Sequence, residues 1–466
     1  MLGKTKKIHL VGIGGIGMSG IAELLCNQGF EITGSDMKKT EITDHLESLG
    51  IKITEGHDAL AVTDVDVVVK SSAVKDDNPE VASASAQKIP VIRRAEMLSE
   101  IMRMSYGIGI AGTHGKTTTS SMVGMVLNEA GVDPTVIVGG KVINFGSNNL
   151  MGSGEYIVVE ADEFDRSFLT LTPVIAGITN IEEDHLDCYR DLDDIKATFT
   201  EYANKVPFFG SIICCLDDPG VQSIIPDLKK KIITYGLSRQ ADVRAVEIKM
   251  KDFKSTYCLV YKEYKLGEIN LNVMGIHNIF NSLLAAAVGL DLNIPFEKIK
   301  KGLESYKGVF RRFEFKGKKS GVLFFDDYAH HPTEIIATLK GVRANTEKRV
   351  IVLFQPHLYS RTKDFYNAFG RSFFHADFLF VAPIYPAREA PIEGVTGKLI
   401  SDAAINSGHR NVEFIEKNEI IVDTVISELK PGDVLITVGA GDIYKYGEKI
   451  MEKLGDEAGI TLEEDN

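Results

Sequence analysis

Apolar and polar positions fall into alternating blocks along the whole chain. From residue 8 to about 100, short apolar runs such as "KIHLVGI", "IKITEG" and "DVDVVVKSSAV" take turns with helix-length stretches such as "GMSGIAELLCNQG" and "ITDHLESLG". Strand then helix, repeated, predicts a parallel α/β domain. A second start appears at "SYGIGIAGTHGKTTTSSMVGMVLNEAG", and "EYIVVEAD" and "VIAGITNI" extend its sheet. Residues 231 to 275 hold shorter alternating segments, which predict an antiparallel addition before the apolar helix "HNIFNSLLAAAVGLDL". The pattern resets near "YKGVFRRFEFKG", and "VLFFDDYAHHPTE", "RVIVLFQPH", "FLFVAPIY" and "DVLITVGAG" predict a third α/β unit. The final "GDEAGITLEEDN" reads as a solvated acidic tail.

The predicted class is α/β in three domains: a Rossmann-like domain over residues 1–106, a P-loop ATPase-like domain with a small antiparallel addition over 107–310, and a Rossmann-like domain over 311–466. The length of 466 residues fits about 150 residues per domain.

Composition narrows the partners. With 52 basic and 65 acidic residues the net charge is -13, which repels nucleic acid and anionic membrane surfaces and leaves anionic ligands to local basic pockets. No run of about 18 apolar residues occurs, so a soluble cytoplasmic protein is expected. A monomer or homodimer is expected as well. The five cysteines (Cys26, Cys188, Cys214, Cys215 and Cys258) are scattered, without metal-binding spacing, as expected of buried thiols in a reducing compartment.

Two glycine loops carry the first chemistry. Gly12, Gly14 and Gly17 fit G-x-G-x-x-G between strand and helix, with Asp36 ending the next strand, where a ribose-binding acid belongs. By itself this predicts an NAD-dependent oxidoreductase. The second loop, "GTHGKTTT" from Gly112 to Thr119, follows a strand and opens a helix, so its amides suit phosphate oxygens. Lys116 is placed for the β and γ phosphates and Thr117 for Mg²⁺. The general P-loop pattern wants glycine at position 110, which is Ile110, so the turn must rest on Gly112 and Gly115.

Later strand ends add charge. "IVVEADEFDRSF" sets Glu160, Asp162, Glu163 and Asp165 at one such end, Glu160 being the best metal candidate, and "ITNIEEDHLDCY" sets His185 between Asp184 and Asp187 at the next. Together with Thr117 these suit an Mg²⁺ site built mainly of oxygen. Asn278 and Asn281 lie one helical turn apart in "GIHNIFNSLLAAA", on one face, and suit adenine's edge, though helix capping explains Asn278 as cheaply. Arg311 and Arg312, then Asp326, Asp327, His330 and His331, and finally His357 and Arg361 mark the third unit; arginine's planar fork suits phosphate.

In this order, "GTHGKTTT", "EADE", "NIEEDHLD", "GIHNIFN", "GVFRRFE" and "DDYAHHPTE" resemble the Mur ligase superfamily across nearly the full length. With "GIGGIGMSGIAE" and "FQPHLYSRT", which are most similar to the members that add L-alanine, the resemblance implies an ATP-dependent ligase that joins L-alanine to the lactoyl carboxylate of UDP-N-acetylmuramate through an acyl phosphate. The three domains would bind the UDP sugar, ATP and the amino acid respectively. It implies ATP contacts from Gly112, Thr113, His114, Gly115, Lys116, Thr117, Thr118, Asn278, Asn281 and Asp327. Thr117 and Glu160 would hold one Mg²⁺, His185 a second, and Arg312 the γ-phosphate, so that Lys116, Glu160, His185 and Arg312 form the catalytic set. The UDP sugar would meet Gly12, Gly14, Gly15, Gly17, Met18, Asp36, Ser71 and Arg94, and the amino acid His330, His357 and Arg361. Competing readings are a recycling ligase that adds a tripeptide to the same sugar, a signalling P-loop NTPase, and the oxidoreductase of the first loop.

Overall fold

A computed structural model describes residues 3–71, 73–183, 188–251, 253–387 and 389–456, with the backbone alone for Ile16. The described residues form three sheets. The first is wholly parallel, in the order Lys52–Glu55, Glu31–Asp36, Lys7–Val11, Val67–Lys70, Val91–Arg93. Strand order reverses direction beside Lys7–Val11, and the first glycine loop leaves that strand's carboxyl end, where doubly wound sheets place ligands.

The second sheet has ten strands. Its parallel centre runs Lys231–Gly236, Ser211–Cys215, Ile175–Ile178, Tyr106–Ala111, Tyr156–Glu160, Thr135–Ile137. The antiparallel addition starts later than the pattern predicts. Lys231–Gly236 is still a parallel strand and pairs in parallel with Val243–Lys251; the antiparallel hairpin is Lys254–Tyr261 with Tyr264–Leu271. Alternation marks a strand with one face buried, which both pairings allow.

The helix Lys116–Ala130 follows the second glycine loop and ends on left-handed Gly131. A Cβ on Gly302 of helix Phe296–Ser305 would lie 2.7 Å from the Cα of Val126, and one on Gly124 would lie 2.6 Å from Val136. Small residues thus let this helix press against both a neighbouring helix and the sheet, which fixes the loop at its start. Helix Ile276–Asp291 buries Leu283 to Val288 as a continuous apolar face.

The third sheet runs Glu314–Lys319, Val322–Asp327, Val434–Val438, Val350–Phe354, Phe378–Val381, Val412–Phe414, with only the first strand antiparallel. Phe354, at the end of its fourth strand, packs against the buried rings of Phe369 and Phe373.

The chain divides into two compact units. The first comprises Met1–Lys249 with Lys254–Lys307, and the second Met250–Phe253 with Gly308–Asn466. Phe253 belongs with the second unit because its ring lies 4.6 Å from that of Phe325 and 6.0 Å from that of Phe313. Inside the first unit the first two sheets are joined: Ser99 Oγ donates to Thr170 O at 2.6 Å, and Asn149 packs against Gly20, where a Cβ would be 2.5 Å from its Oδ1.

All five cysteines are free thiols; Cys214 and Cys215 are buried and the other three half-buried. Burial pushes Cys214 up to about 12 and Cys215 up to about 11, which keeps both protonated and unreactive. The expected acidic tail begins inside the last helix, Ile443–Asp456, and its remainder, 457–466, lies outside the described residues.

Candidate active site

The first glycine loop is held by the strand next to it. Gly12 takes φ +80°, in the left-handed region open to glycine. The amides of Gly12 and Ile13 donate to Ser35 O at 2.8 and 3.0 Å, and that of Gly14 to Asp36 Oδ2 at 2.8 Å. Asp36 is therefore engaged with the loop itself. A Cβ on Gly17 would meet Arg94 Nη1 at 2.7 Å, and one on Gly12 would meet Ser71 Cβ at 3.1 Å. Gly12, Gly14, Gly15, Gly17, Asp36, Ser71 and Arg94 thus gather round one helix start, while Met18 turns into the core. Helix Ile16–Asn27 has Gly15 as its cap residue and no side-chain cap, so its first amides lack intrahelical acceptors and face an anion readily.

The second loop sits between two strand ends. Gly115 is left-handed at φ +83° and opens helix Lys116–Ala130. On one side, His114 N donates to Asn180 Oδ1 at 2.8 Å, Thr113 N to Asn180 O at 3.1 Å, and Thr179 Oγ1 to His114 O at 2.6 Å. A Cβ on Gly112 would collide with Thr179 Oγ1 at 1.9 Å, so residue 112 must be glycine for this clamp to close.

On the other side stand the carboxylates. Thr117 Oγ1 lies 3.0 Å from both oxygens of Glu160, and Gly139 N donates to Glu160 Oε2 at 2.7 Å. A hydroxyl beside a carboxylate offers hard oxygen donors of the kind Mg²⁺ selects, so these two residues fit that ion. His185, Asp184 and Asp187 lie outside the described residues. No cluster of three or more His, Cys, Asp or Glu side chains suited to a metal occurs among the described residues.

Lys116 Nζ donates to Gly112 O at 2.6 Å and to Glu163 at 2.7 and 2.9 Å. Glu163 is buried, and burial raises its carboxyl above the usual glutamate range even though the Lys116 charge and hydrogen bond pull the other way. The acidic run signalled Glu163 only as one of four acids; its pairing with Lys116 follows from the parallel strands that set Glu160 next to Ile110. Asn180 was hidden for the same reason, since its work is to hold a loop some 66 residues earlier.

Asn281 is buried behind the loop. It accepts from Thr119 Oγ1 at 3.1 Å and donates to Asn278 Oδ1 at 3.3 Å, and Asn278 Nδ2 donates to Met274 O at 2.7 Å. A Cβ on Gly115 would lie 2.6 Å from Asn281 Oδ1. The two amides share a face, and part of their capacity serves the loop. His114 is exposed and faces Glu182 at 3.7 Å, and Thr118 occupies the helix's first turn.

In the second unit, Asp327 ends the strand Val322–Asp327, buried. It accepts from Ala329 N at 2.7 Å and Phe313 N at 3.0 Å, yet burial pushes its carboxyl up to about 6. Arg311 is a structural residue: its guanidinium bonds Asp326 at 3.0 Å and the carbonyls of Gly439 and Gly441, between the rings of Tyr328 and Tyr444. Arg312 is exposed and makes no ion pair among the described residues. His330 and His357 stand with ring centroids 6.1 Å apart, and Tyr385 stacks on His357 at 5.7 Å. His357 Nδ1 and Arg361 Nη1 are buried without a hydrogen-bond partner among the described residues. Burial, then the charges of Arg361 and His330, hold the His357 imidazole below its ordinary value.

A parallel α/β domain with a diphosphate-type loop, a P-loop unit with Thr and Glu at its mouth, and a third α/β domain with a His and Arg cluster define a nucleotide-dependent ligase architecture. Residues 7–106 match the "Mur ligase family, catalytic domain", 110–289 the "Mur ligase middle domain" and 311–441 the "Mur ligase, glutamate ligase domain". The chain belongs to the Mur ligase family. It is 51% identical over 466 residues, 100% of this chain and 98% of the relative, to the UDP-N-acetylmuramate--L-alanine ligase of Salinibacter ruber. It is also 51% identical over 454 residues, 97% of this chain and 99% of the relative, to the enzyme of that name from Geotalea uraniireducens. Among solved structures, UDP-N-acetylmuramate-alanine ligase from Thermotoga maritima matches with TM-score 0.79 and 28% identity, covering 97% of this chain and 100% of that one. No helix among the described residues is long and apolar enough to cross a membrane.

Proposed function

We propose that this protein joins L-alanine to UDP-N-acetylmuramate with cleavage of ATP to ADP and phosphate, in the cytoplasm, using domains 1–106, 107–310 and 311–466 for the sugar nucleotide, ATP and amino acid. The observation that carries the reading is the second loop, where Lys116, Thr117, Glu160 and the first helical amides converge, in a chain half identical over its full length to ligases of that name.

The lactoyl carboxylate of the sugar attacks the γ-phosphorus, the bond to the β-phosphate oxygen breaks, and ADP leaves. The free amine of alanine then adds to the acyl phosphate and expels inorganic phosphate, losing one proton as the amide forms. Carboxylate and triphosphate repel each other, so concentrated positive charge is required. Lys116 and the helix amides supply it at the loop, and Arg312 is assigned to the γ-phosphate. Thr117 and Glu160 would hold one Mg²⁺, with His185 assigned to a second, and the ions would supply charge neutralisation there. Asn278 and Asn281 are assigned to adenine and Asp327 to its ribose.

For the amino acid, Arg361 Nη1 and His357 Nδ1 are buried nitrogens with no hydrogen-bond partner among the described residues, which suits a carboxylate. His330 and His357, with ring centroids 6.1 Å apart, are assigned as the bases for the amine. A phosphate-release assay tests the function. Release should require UDP-N-acetylmuramate and L-alanine together. Release with ATP alone would point to an NTPase, and release with tripeptide but not alanine to a recycling ligase.

A further inference from the structure

Under the first glycine loop lies a buried polar cluster that the reaction above does not use. Glu80, on helix Pro79–Ala86, is completely buried. Its Oε2 accepts from Ser35 Oγ at 2.5 Å and lies 3.3 Å from His57 Nδ1, and its Oε1 accepts from Asp58 N at 3.1 Å. His9, also buried, points Nε2 at Glu80 from 3.6 Å with no hydrogen-bond partner for that atom among the described residues, while its Nδ1 bonds Thr33 Oγ1 at 2.8 Å. Burial alone would raise the Glu80 carboxyl; His9 beside it and the bonds from Ser35 and Asp58 outweigh that and bring it below the usual range. A charge is thus kept where an apolar side chain would pack at less cost.

Ser35 connects the cluster to the loop. Its carbonyl accepts the amides of Gly12 and Ile13, and the next residue, Asp36, accepts that of Gly14. Three consecutive loop amides therefore hang on two consecutive strand residues, and the hydroxyl of the first is held by Glu80 together with His57, whose Nδ1 lies 3.0 Å from it. We propose that Glu80 is a positioning residue for the sugar-nucleotide loop, acting through Ser35 to set the loop's backbone for the diphosphate. The inference rests on the reading of that loop as the UDP-sugar site.

The test uses the full chain and the variants Glu80→Gln and Ser35→Ala. Losing one bond in a buried network should raise KM for UDP-N-acetylmuramate about five- to tenfold. KM for ATP and for L-alanine should stay within about twofold. The double variant should be no worse than the poorer single one, because both act along one chain of contacts. Melting is followed in parallel, and Ser35→Ala, which leaves helix and carboxylate in place, carries the test if Glu80→Gln does not fold. A lowered melting temperature with an unchanged KM for the sugar nucleotide, or an equal rise in all three KM values, would overturn the proposal. Calorimetry of the unaltered protein with UDP-N-acetylmuramate separates the two readings. No binding there overturns both, whereas normal binding with unaffected variants overturns the positioning role alone.

Discussion

Replacing Lys116 by alanine removes the proposed phosphate ligand and strands a buried carboxylate, and the two effects can be told apart. The side chains of Lys116 and Glu163 are 13% and 4% exposed and meet at 2.7 Å. Breaking such a pair from one side costs about 3–5 kcal/mol, which in a domain of this size lowers the melting temperature by on the order of 10 °C. Without Lys116, burial still acts on Glu163 while the charge and hydrogen bond that opposed it are gone, and its carboxyl rises further from its unfolded value of about 4.3. The folded state then holds a proton that the unfolded state has already lost, so stability falls as pH rises. The deficit of Lys116→Ala against the unaltered protein should be smallest near about pH 4–5 and widen toward neutrality. Glu163→Gln added to Lys116→Ala should restore most of the lost stability without restoring phosphate release. Scanning calorimetry across pH, with the release assay on the unaltered protein and both variants, reads both effects. Near-normal turnover in Lys116→Ala would refute the phosphate role. A deficit that ignores pH, or that persists in the double variant, would refute the buried ion pair.

Glu160→Ala and Thr117→Val should each raise the Mg²⁺ concentration for half-maximal turnover about tenfold or more, and an unchanged metal titration would remove them from the site. Asp327, with its carboxyl at about 6, penalises the folded second unit once ionised. The stability of the unaltered protein relative to Asp327→Asn should therefore rise as pH falls from 7 to 5, and a constant difference in calorimetry would contradict the assigned shift. His357→Ala should raise KM for L-alanine about tenfold with KM for ATP unchanged; equal KM values for both proteins would move the amino acid elsewhere.

The sequence made the elements legible because apolar periodicity and glycine loops are local. Strand, glycine turn and helix follow one another within a few residues at both Gly12 and Gly112, and both loops form where the pattern puts them. Register and partner choice are not local. That Glu163 meets Lys116, that Asn180 clamps His114, and that Arg311 holds its own domain together while Arg312 is exposed depend on which strands lie side by side. The adjacent arginines looked equivalent in "GVFRRFE"; φ +60° at Arg311 turns its side chain onto Asp326 and the carbonyls of residues 439 and 441.

The two glycine loops show why a fingerprint identifies a ligand's charge before its identity. Each offers a helix start and amides freed by glycine, physics that any diphosphate satisfies. They differ in what stands opposite. In the first, Asp36 takes the amide of Gly14 and Arg94 lies over Gly17, so the strand-end acid supports the loop. An acid engaged in this way has less capacity for the ribose hydroxyl that a dinucleotide would present, which weighs against the oxidoreductase reading. In the second, the strand-end acids flank a lysine and a threonine instead, and Glu160 and Glu163 divide between them the hydroxyl suited to Mg²⁺ and the ammonium suited to phosphate. The proposed ligand, a triphosphate carrying Mg²⁺, would have a use for both halves of that division.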